Sequence, residues 1–291
     1  GAAVMGGLGA GAIDAGINTY IAQNHSERMM QWLHASFGIG VTIGPVIMTL
    51  GITWTQRWQW GYVVVAGAQI LLAAAFLLTK GWWKNISLKE EAQVREEATL
   101  AETMKKVSVW LSMLMFFIYT GVELGLGLWA YSLLTESRGV APAVAGFITG
   151  TYWGMFTLGR IIAGWYSRKF SVSTMIYFSV FLAISGTVMI LVDLYNSMTI
   201  FGIGLTGLAI APVFPGLVSD TVNRVGRKYQ GHTIGMQIAA AGVGAAVVPS
   251  IAGVLARIYG LEIIPGYLVG ALILLLLSFR LTHSRIMKSP L

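Results

Sequence analysis

Nine apolar runs, each close to the roughly 20 residues a helix needs to cross a bilayer, account for most of this chain. They fall at about 1–23, 30–52, 60–79, 107–135, 143–165, 174–195, 199–220, 230–259 and 261–279. Hydrocarbon offers no hydrogen bonds to the backbone, so runs of this length satisfy their own N–H and C=O groups as helices. The basic residues check the count. Taken on alternate sides of the nine spans, sixteen Lys and Arg residues fall on one side, among them Arg28, Lys80, Lys105, Arg168, Lys169, Arg227 and Arg280; only Arg57, Arg138 and Arg257 fall on the other. One missed or invented span would mix the two groups. Cytoplasmic loops carry the excess of positive charge, so the first helix is expected to enter from outside. The 80–106 loop and the C-terminus are then cytoplasmic, in a cell's inner (plasma) membrane.

Charged residues are only 11% of the 291 and hydrophobic ones 56%. A soluble domain carries about 25% charged residues, so this chain lacks the polar side chains to cover a wet surface and reads as an all-α membrane protein. Its net charge of +7 lies in short loops rather than in one patch, which argues against a nucleic-acid partner. With no cysteine, neither a disulfide framework nor a thiolate metal site is available. The four histidines have no metal-ligand spacing, no His-Glu-x-x-His is present, and the Gly-x-Gly runs sit inside apolar helices, where they serve packing. No enzyme activity, metal or cofactor is expected.

The chain begins without methionine, inside an apolar run, and has an odd number of spans. It is expected to be the later part of a longer protein. A charged stretch at 80–106 divides three spans from six; it reads as a cytoplasmic linker with a short amphipathic helix at the membrane surface, anchored by Trp82 and Trp83. A weak repeat respects the same division. Gly38-Ile39-Gly40 with Gly44-Pro45 in the second run matches Gly242-Val243-Gly244 with Val248-Pro249 in the eighth, and both helices run outward, as in a transporter built from duplicated halves.

Asp14 and Asn18 lie four apart in a glycine-rich run, so on a helix they share a face. A carboxylate at that depth is costly beside lipid and is expected to face protein or a water-filled cavity. Pro212 and Pro215 interrupt the seventh run and free backbone carbonyls there, marking either a gate or a static kink.

Gly9-x4-Asp14-x3-Asn18, Trp32-Leu33-His34-Ala35-Ser36-Phe37-Gly38-Ile39-Gly40, Gly121-Val122-Glu123-x5-Trp129, Gly159-Arg160-x3-Gly164 and Ala211-Pro212-Val213-Phe214-Pro215 together resemble the major facilitator superfamily, in its fucose:proton symporter branch. The resemblance covers nearly the whole chain and implies that fold with nine of its twelve transmembrane helices present. Residues 1–79 are then the last three helices of the N-terminal half, 80–106 the central loop and 107–291 the six-helix C-terminal half. The family's first helix carries a further acidic residue that this sequence does not contain.

In such a fold the first, fourth and seventh helices of this chain line the central cavity, and the first and fourth carry Asp14 and Glu123. The resemblance implies that these carboxylates take up and release a coupling proton, with Na+ as the alternative ion; packing carboxylates are the plainer reading. Asn18 and Gln237 offer the donors and acceptors a sugar hydroxyl requires, and Trp129 and Tyr152 offer ring faces, though both residue types also form interfacial belts. His34 either joins a proton relay or bridges helices as a neutral ring, and His232 lies at the interface. Arg160 resembles the superfamily's cytoplasmic latch arginine, with Asp220 its expected partner. The function implied is proton-coupled import of a sugar or similar small polar solute by a monomer in contact with membrane lipid. A drug or metabolite exporter of the same superfamily stays open, as does a structural or assembly subunit.

Overall fold

The computed structural model of the chain describes residues 2–82 and 98–288. Among the described residues twelve α-helices follow one another: α1 (Ala2–Asn24), α2 (Glu27–Thr55), α3 (Gln59–Leu78), α4 (Leu100–Met104), α5 (Val107–Ser132), α6 (Pro142–Tyr166), α7 (Val172–Val192), α8 (Asn196–Ile210), α9 (Val213–Ser219), α10 (Thr221–Val225), α11 (Gln230–Tyr259) and α12 (Ile263–Lys288). Each of the nine expected spans holds a helix, with α8 and α9 together occupying the seventh; the sixth ends early, at Val192, and the ninth begins late, at Ile263. Among the described residues there is no strand.

Six segments combine the length and apolarity of a membrane crossing: Gln59–Leu78, Val107–Ser137, Val172–Val192, Ser197–Ser219, Arg227–Tyr259 and Ile263–Thr282. α1, α2 and α6 are long enough, at 23, 29 and 25 residues, but glycines and polar side chains dilute their hydropathy. Those dilutions are the residues that build the site described below. Of the expected linker helix, most lies outside the described residues. Its described end is the single turn of α4, closed by a capping box in which Thr99 accepts from the Glu102 N–H while the Glu102 carboxylate accepts from the Thr99 N–H. Trp82 is exposed, and Trp83 falls among the undescribed residues.

The chain separates into two compact units, Gly1–Ala35 with Arg95–Leu291, and Ser36–Val94. In the smaller unit α2 and α3 meet where a methyl group at Gly51 would stand 2.9 Å from the Gly61 backbone nitrogen, so the two helices approach as closely as side-chain-free backbones allow. In the larger unit α5 packs against α11 and α12, α7 against α8 and α12, α6 against α8, and α1 against α11 and α9. The α5–α11 crossing is set by two glycines: a methyl on Gly244 would collide with the Phe117 backbone and one on Gly121 with Val248. Met115, Phe116, Tyr119, Tyr152, Phe156 and Leu272 fill the centre with almost no exposure.

One end of the bundle is tied by Arg138, which follows a π-helical turn, Leu133–Ser137, at the end of α5. Its guanidinium donates to the Glu262 carboxylate at 2.7 and 3.0 Å, to Thr199 Oγ1 at 2.7 Å and to the Ile190 carbonyl at 2.9 Å, and pairs with Asp193 at 3.4 Å. One side chain thus gathers the ends of α7, α8 and α12. The Arg138 bonds hold the Glu262 carboxyl below its ordinary value of 4.5, helped by the Ser137 hydroxyl. A depressed carboxylate contributes stability above its unfolded value and loses it as pH falls through the folded one. Thermal unfolding of the wild type should therefore show an acid-dependent loss beginning below pH 4.5 that is missing from Glu262→Gln; because half of the Glu262 side chain is exposed, the step should stay under about 1 kcal/mol.

Candidate functional site

The i,i+4 spacing in α1 does what helical geometry requires. Asn18 Nδ2 donates both to the Asp14 carboxylate at 2.8 Å and to the Asp14 backbone carbonyl at 2.9 Å. Those two acceptors fix the amide orientation, so Asn18 Oδ1 faces the other way, where it meets His34 Nε2 of α2 at 2.9 Å. An amide oxygen only accepts, and the His34 ring must carry its proton on Nε2 to complete the contact. Asn18 is fully buried and His34 is 8% exposed, whereas Asp14 at the outer end of the chain of bonds is exposed.

The His34 backbone carbonyl accepts from Arg160 Nη1 of α6 at 3.0 Å, and Arg160 Nε reaches the Ala211 carbonyl at 3.4 Å. The guanidinium lies 4.1 Å over the Phe156 ring and is 2% exposed. α6 can bring it there because Gly159 has no side chain: a methyl at that position would collide with the Leu208 carbonyl and with Ala211. Arg160 is the one cation whose charge acts on Asp14, His34 and Glu123 alike among the interactions described for those groups.

Glu123 is buried in α5, with the Tyr119 ring one turn away. The Tyr119 hydroxyl and the Glu123 carboxyl act on one another within α5. Tyr152 donates its hydroxyl to the Glu123 backbone carbonyl at 2.8 Å, so this tyrosine clasps α5 to α6 and its ring is fully enclosed. Asp14, Asn18, His34, Arg160 and Glu123 are therefore assembled by four helices, α1, α2, α5 and α6, around one guanidinium.

The Pro212 interruption is real: α8 stops at Ile210 and α9 restarts at Val213. Two carbonyls at the break find donors elsewhere. Arg160 takes Ala211, and Gln31 Nε2 from α2 donates to Pro212 at 3.2 Å. Just past the break, the Phe214 ring packs 5.0 Å from His34, 4.9 Å from Phe116 and 5.7 Å from Tyr119, and Pro215 is buried in α9.

Other expected partners are placed differently. Asp220 pairs with Arg224 at 3.3 Å one turn along, and Arg224 also donates to Ser112 and to the Leu217 carbonyl; Arg160 spends its described donors on carbonyls. Gln237 is fully buried, its Oε1 accepting from Thr221 at 3.1 Å and its Nε2 without a partner among the described residues. Trp129 donates to the Pro249 carbonyl at 2.9 Å and lies on Gly253, joining α5 to α11 where Pro249 interrupts the ladder.

Sequence reasoning passed over Glu27 and Gln31. Gln31 Nε2 also donates to Glu27 Oε1 at 2.6 Å, and the Glu27 carboxylate accepts from the Ser219 hydroxyl, so the start of α2 is joined to the end of α9. The signal was present: Glu27, Gln31 and His34 share one face of α2 at i, i+4 and i+7. Trp32, beside them, rests on Gly164 of α6, with the Arg28 guanidinium 5.9 Å above its ring.

With that geometry established, a family model described as the Major Facilitator Superfamily matches residues 1–192 and 111–288. Bypass of stop codon protein 6 of Saccharomyces cerevisiae is 24% identical over 294 residues, covering 89% of this chain and 59% of that protein. Sodium-dependent glucose transporter 1 of Homo sapiens is 22% identical over 285 residues, covering 86% of this chain and 54% of that protein. The chain thus spans little more than half the length of these relatives. A solved structure of the E. coli fucose:proton symporter, FucP, superposes with a TM-score of 0.72 over 94% of this chain and 74% of that one, at 14% identity, a likeness of fold.

Proposed function

Since this chain belongs to the Major Facilitator Superfamily and is an integral, multi-pass membrane protein rather than an enzyme, we propose that it is part of a secondary active transporter that moves a sugar by alternating access, coupled to a proton. The observation that carries the reading is the bonded series Asp14, Asn18, His34 and Arg160, with Glu123 under the same cationic influence, inside helices otherwise built of glycine and apolar side chains. Polar groups placed at such cost mark solute and ion paths. The names of the glucose and fucose transporters among the similar proteins support sugar as the solute class.

In this reading Asp14, exposed at the open end of the series, exchanges a proton with the aqueous cavity. Asn18 passes its state to His34 by reversing no bond of its own: when Asp14 is neutral, the Asn18 amide loses a charged acceptor, and the bond it accepts from His34 Nε2 becomes the stronger of its two side-chain ties. Glu123 is the second carrier, reached through the same guanidinium. Asn18 and the unspent amide of Gln237 serve sugar hydroxyls, while Trp129 and Tyr152 hold helices in place around them. Arg160 acts as a latch through the helix break at Ala211 and Pro212. The chain divides functionally at 80–106, with residues 1–79 belonging to one half of the transporter and 107–291 to the other, and the basic loops face the cytoplasm.

The test is uptake of radiolabelled glucose and fucose into proteoliposomes. Accumulation should follow an imposed inward proton gradient and collapse with a protonophore. Accumulation that follows a Na+ gradient instead would replace the coupling ion, and accumulation of neither sugar under either gradient would remove the reading.

A further inference from the structure

A cavity of about 450 Å³ opens between α6, α7 and α8, on residues that take no part in the polar series. Ile162, Tyr166, Phe170, Thr174, Leu182 and Ala209 are among those lining it. Its wall on α7 runs from Thr174 to Leu182, nine residues spanning about 12 Å of helix. That length is less than half of a hydrocarbon core of about 30 Å, so a cavity that begins at the turn before α7 fits within a single leaflet.

Its mouth is basic. Ser167-Arg168-Lys169 forms the turn between two lining residues, Tyr166 and Phe170, with the Lys169 N–H bonded to the Tyr166 carbonyl at 2.8 Å. Arg168 and Lys169 are exposed, and neither makes an ion pair among the described residues. The first turn of α7 opens beside them, and Ser171 caps it by accepting from the Thr174 N–H. Thus one end offers two unspent cations and the start of a helix, and the remainder offers aliphatic and aromatic walls.

We propose that this cavity holds one acyl chain of an anionic phospholipid whose phosphate is bound by Arg168 and Lys169. A basic notch between membrane helices that continues into an apolar slot has the charge and the depth for that ligand, and the cytoplasmic leaflet, where the charge distribution places this turn, is the anionic one. Placing the lipid in that leaflet rests on the proposed orientation; the binding itself does not. Because Gly159 and Leu208 also line the cavity, the bound chain lies against the α6–α8 crossing that positions Arg160.

The protein in nanodiscs of equal phosphatidylglycerol and phosphatidylcholine, released into native mass spectrometry, should retain one phosphatidylglycerol. Arg168→Gln with Lys169→Gln, both on exposed side chains, should cut that retention about tenfold and abolish the preference over phosphatidylcholine. Ala209→Phe should abolish retention by filling the slot, and Leu182→Trp serves the same end should the first variant fail to fold. Equal retention of both lipids by the wild type, unchanged retention in the charge variant, or unchanged retention in a folded slot-filling variant would each overturn the site.

Discussion

Arg160→Gln is expected to abolish gradient-driven uptake and to lower the unfolding free energy by about 3–5 kcal/mol, the cost of removing one member of a buried charged network. The side chain is 2% exposed and holds the carbonyls of His34, in α2, and Ala211, in the break between α8 and α9. Without it, both carbonyls lose a donor inside apolar packing, and Asp14 and Glu123 lose the cation that acts on both. Arg160→Lys separates charge from shape. An ammonium keeps the positive charge but cannot span two carbonyls set apart by a planar fork, so it should recover part of the uptake and less of the stability. Thermal unfolding in detergent and uptake on the same preparations decide the matter. A glutamine variant that unfolds with the wild type and still accumulates solute would show that Arg160 neither braces the helix break nor serves coupling.

Asp14→Asn is expected to do the opposite: it leaves the fold in place and uncouples transport. An amide oxygen at this position still accepts from Asn18 Nδ2, so the helix-face contact survives and stability should move by less than about 1 kcal/mol. What disappears is the group that binds and releases a proton. Accumulation driven by a pH gradient should fall on the order of 100-fold, the scale of losing a positioned proton carrier, while exchange of solute between the two sides at equilibrium persists. Glu123→Gln in the same assays tells the two carboxylates apart. Full gradient-driven accumulation by Asp14→Asn would remove this residue from the coupling path.

Much of this arrangement is legible in the chain itself, because membrane helices obey few constraints and obey them strictly. Alternating charge in the loops located nine helices within a few residues. The helical period alone joined Asp14 to Asn18, and proline chemistry alone broke the seventh helix at Pro212. Contacts that depend on which faces of separate helices meet were not legible. Arg160 and Asp220 were paired by resemblance, but the Asp220 carboxylate has Arg224 within its own helical neighbourhood, a partner that needs no tertiary approach. Trp129 and Tyr152 read as ring faces for a sugar because composition does not reveal that an indole N–H and a phenol O–H each reach a backbone carbonyl of another helix. Glu27 and Gln31 were missed for a simpler reason: they stand at the edge of an apolar run, where polar residues are ordinary, and only the position of the Pro212 carbonyl shows that Gln31 is spoken for.

The break between α8 and α9 bears on motion as well as shape. The Ala211 carbonyl at the break is moored to α6, and the Pro212 carbonyl, which also accepts from the Gly216 N–H, is moored to α2, so the rod is jointed between Asn196–Ile210 and Val213–Ser219. The longer segment is held by its packing on α6 and α7 and by the Arg138 bond to Thr199, the shorter by Glu27 of α2, so the two are fastened to different neighbours. Two seals in series, opened one at a time, need such mechanical independence between the upper and lower parts of a single pillar.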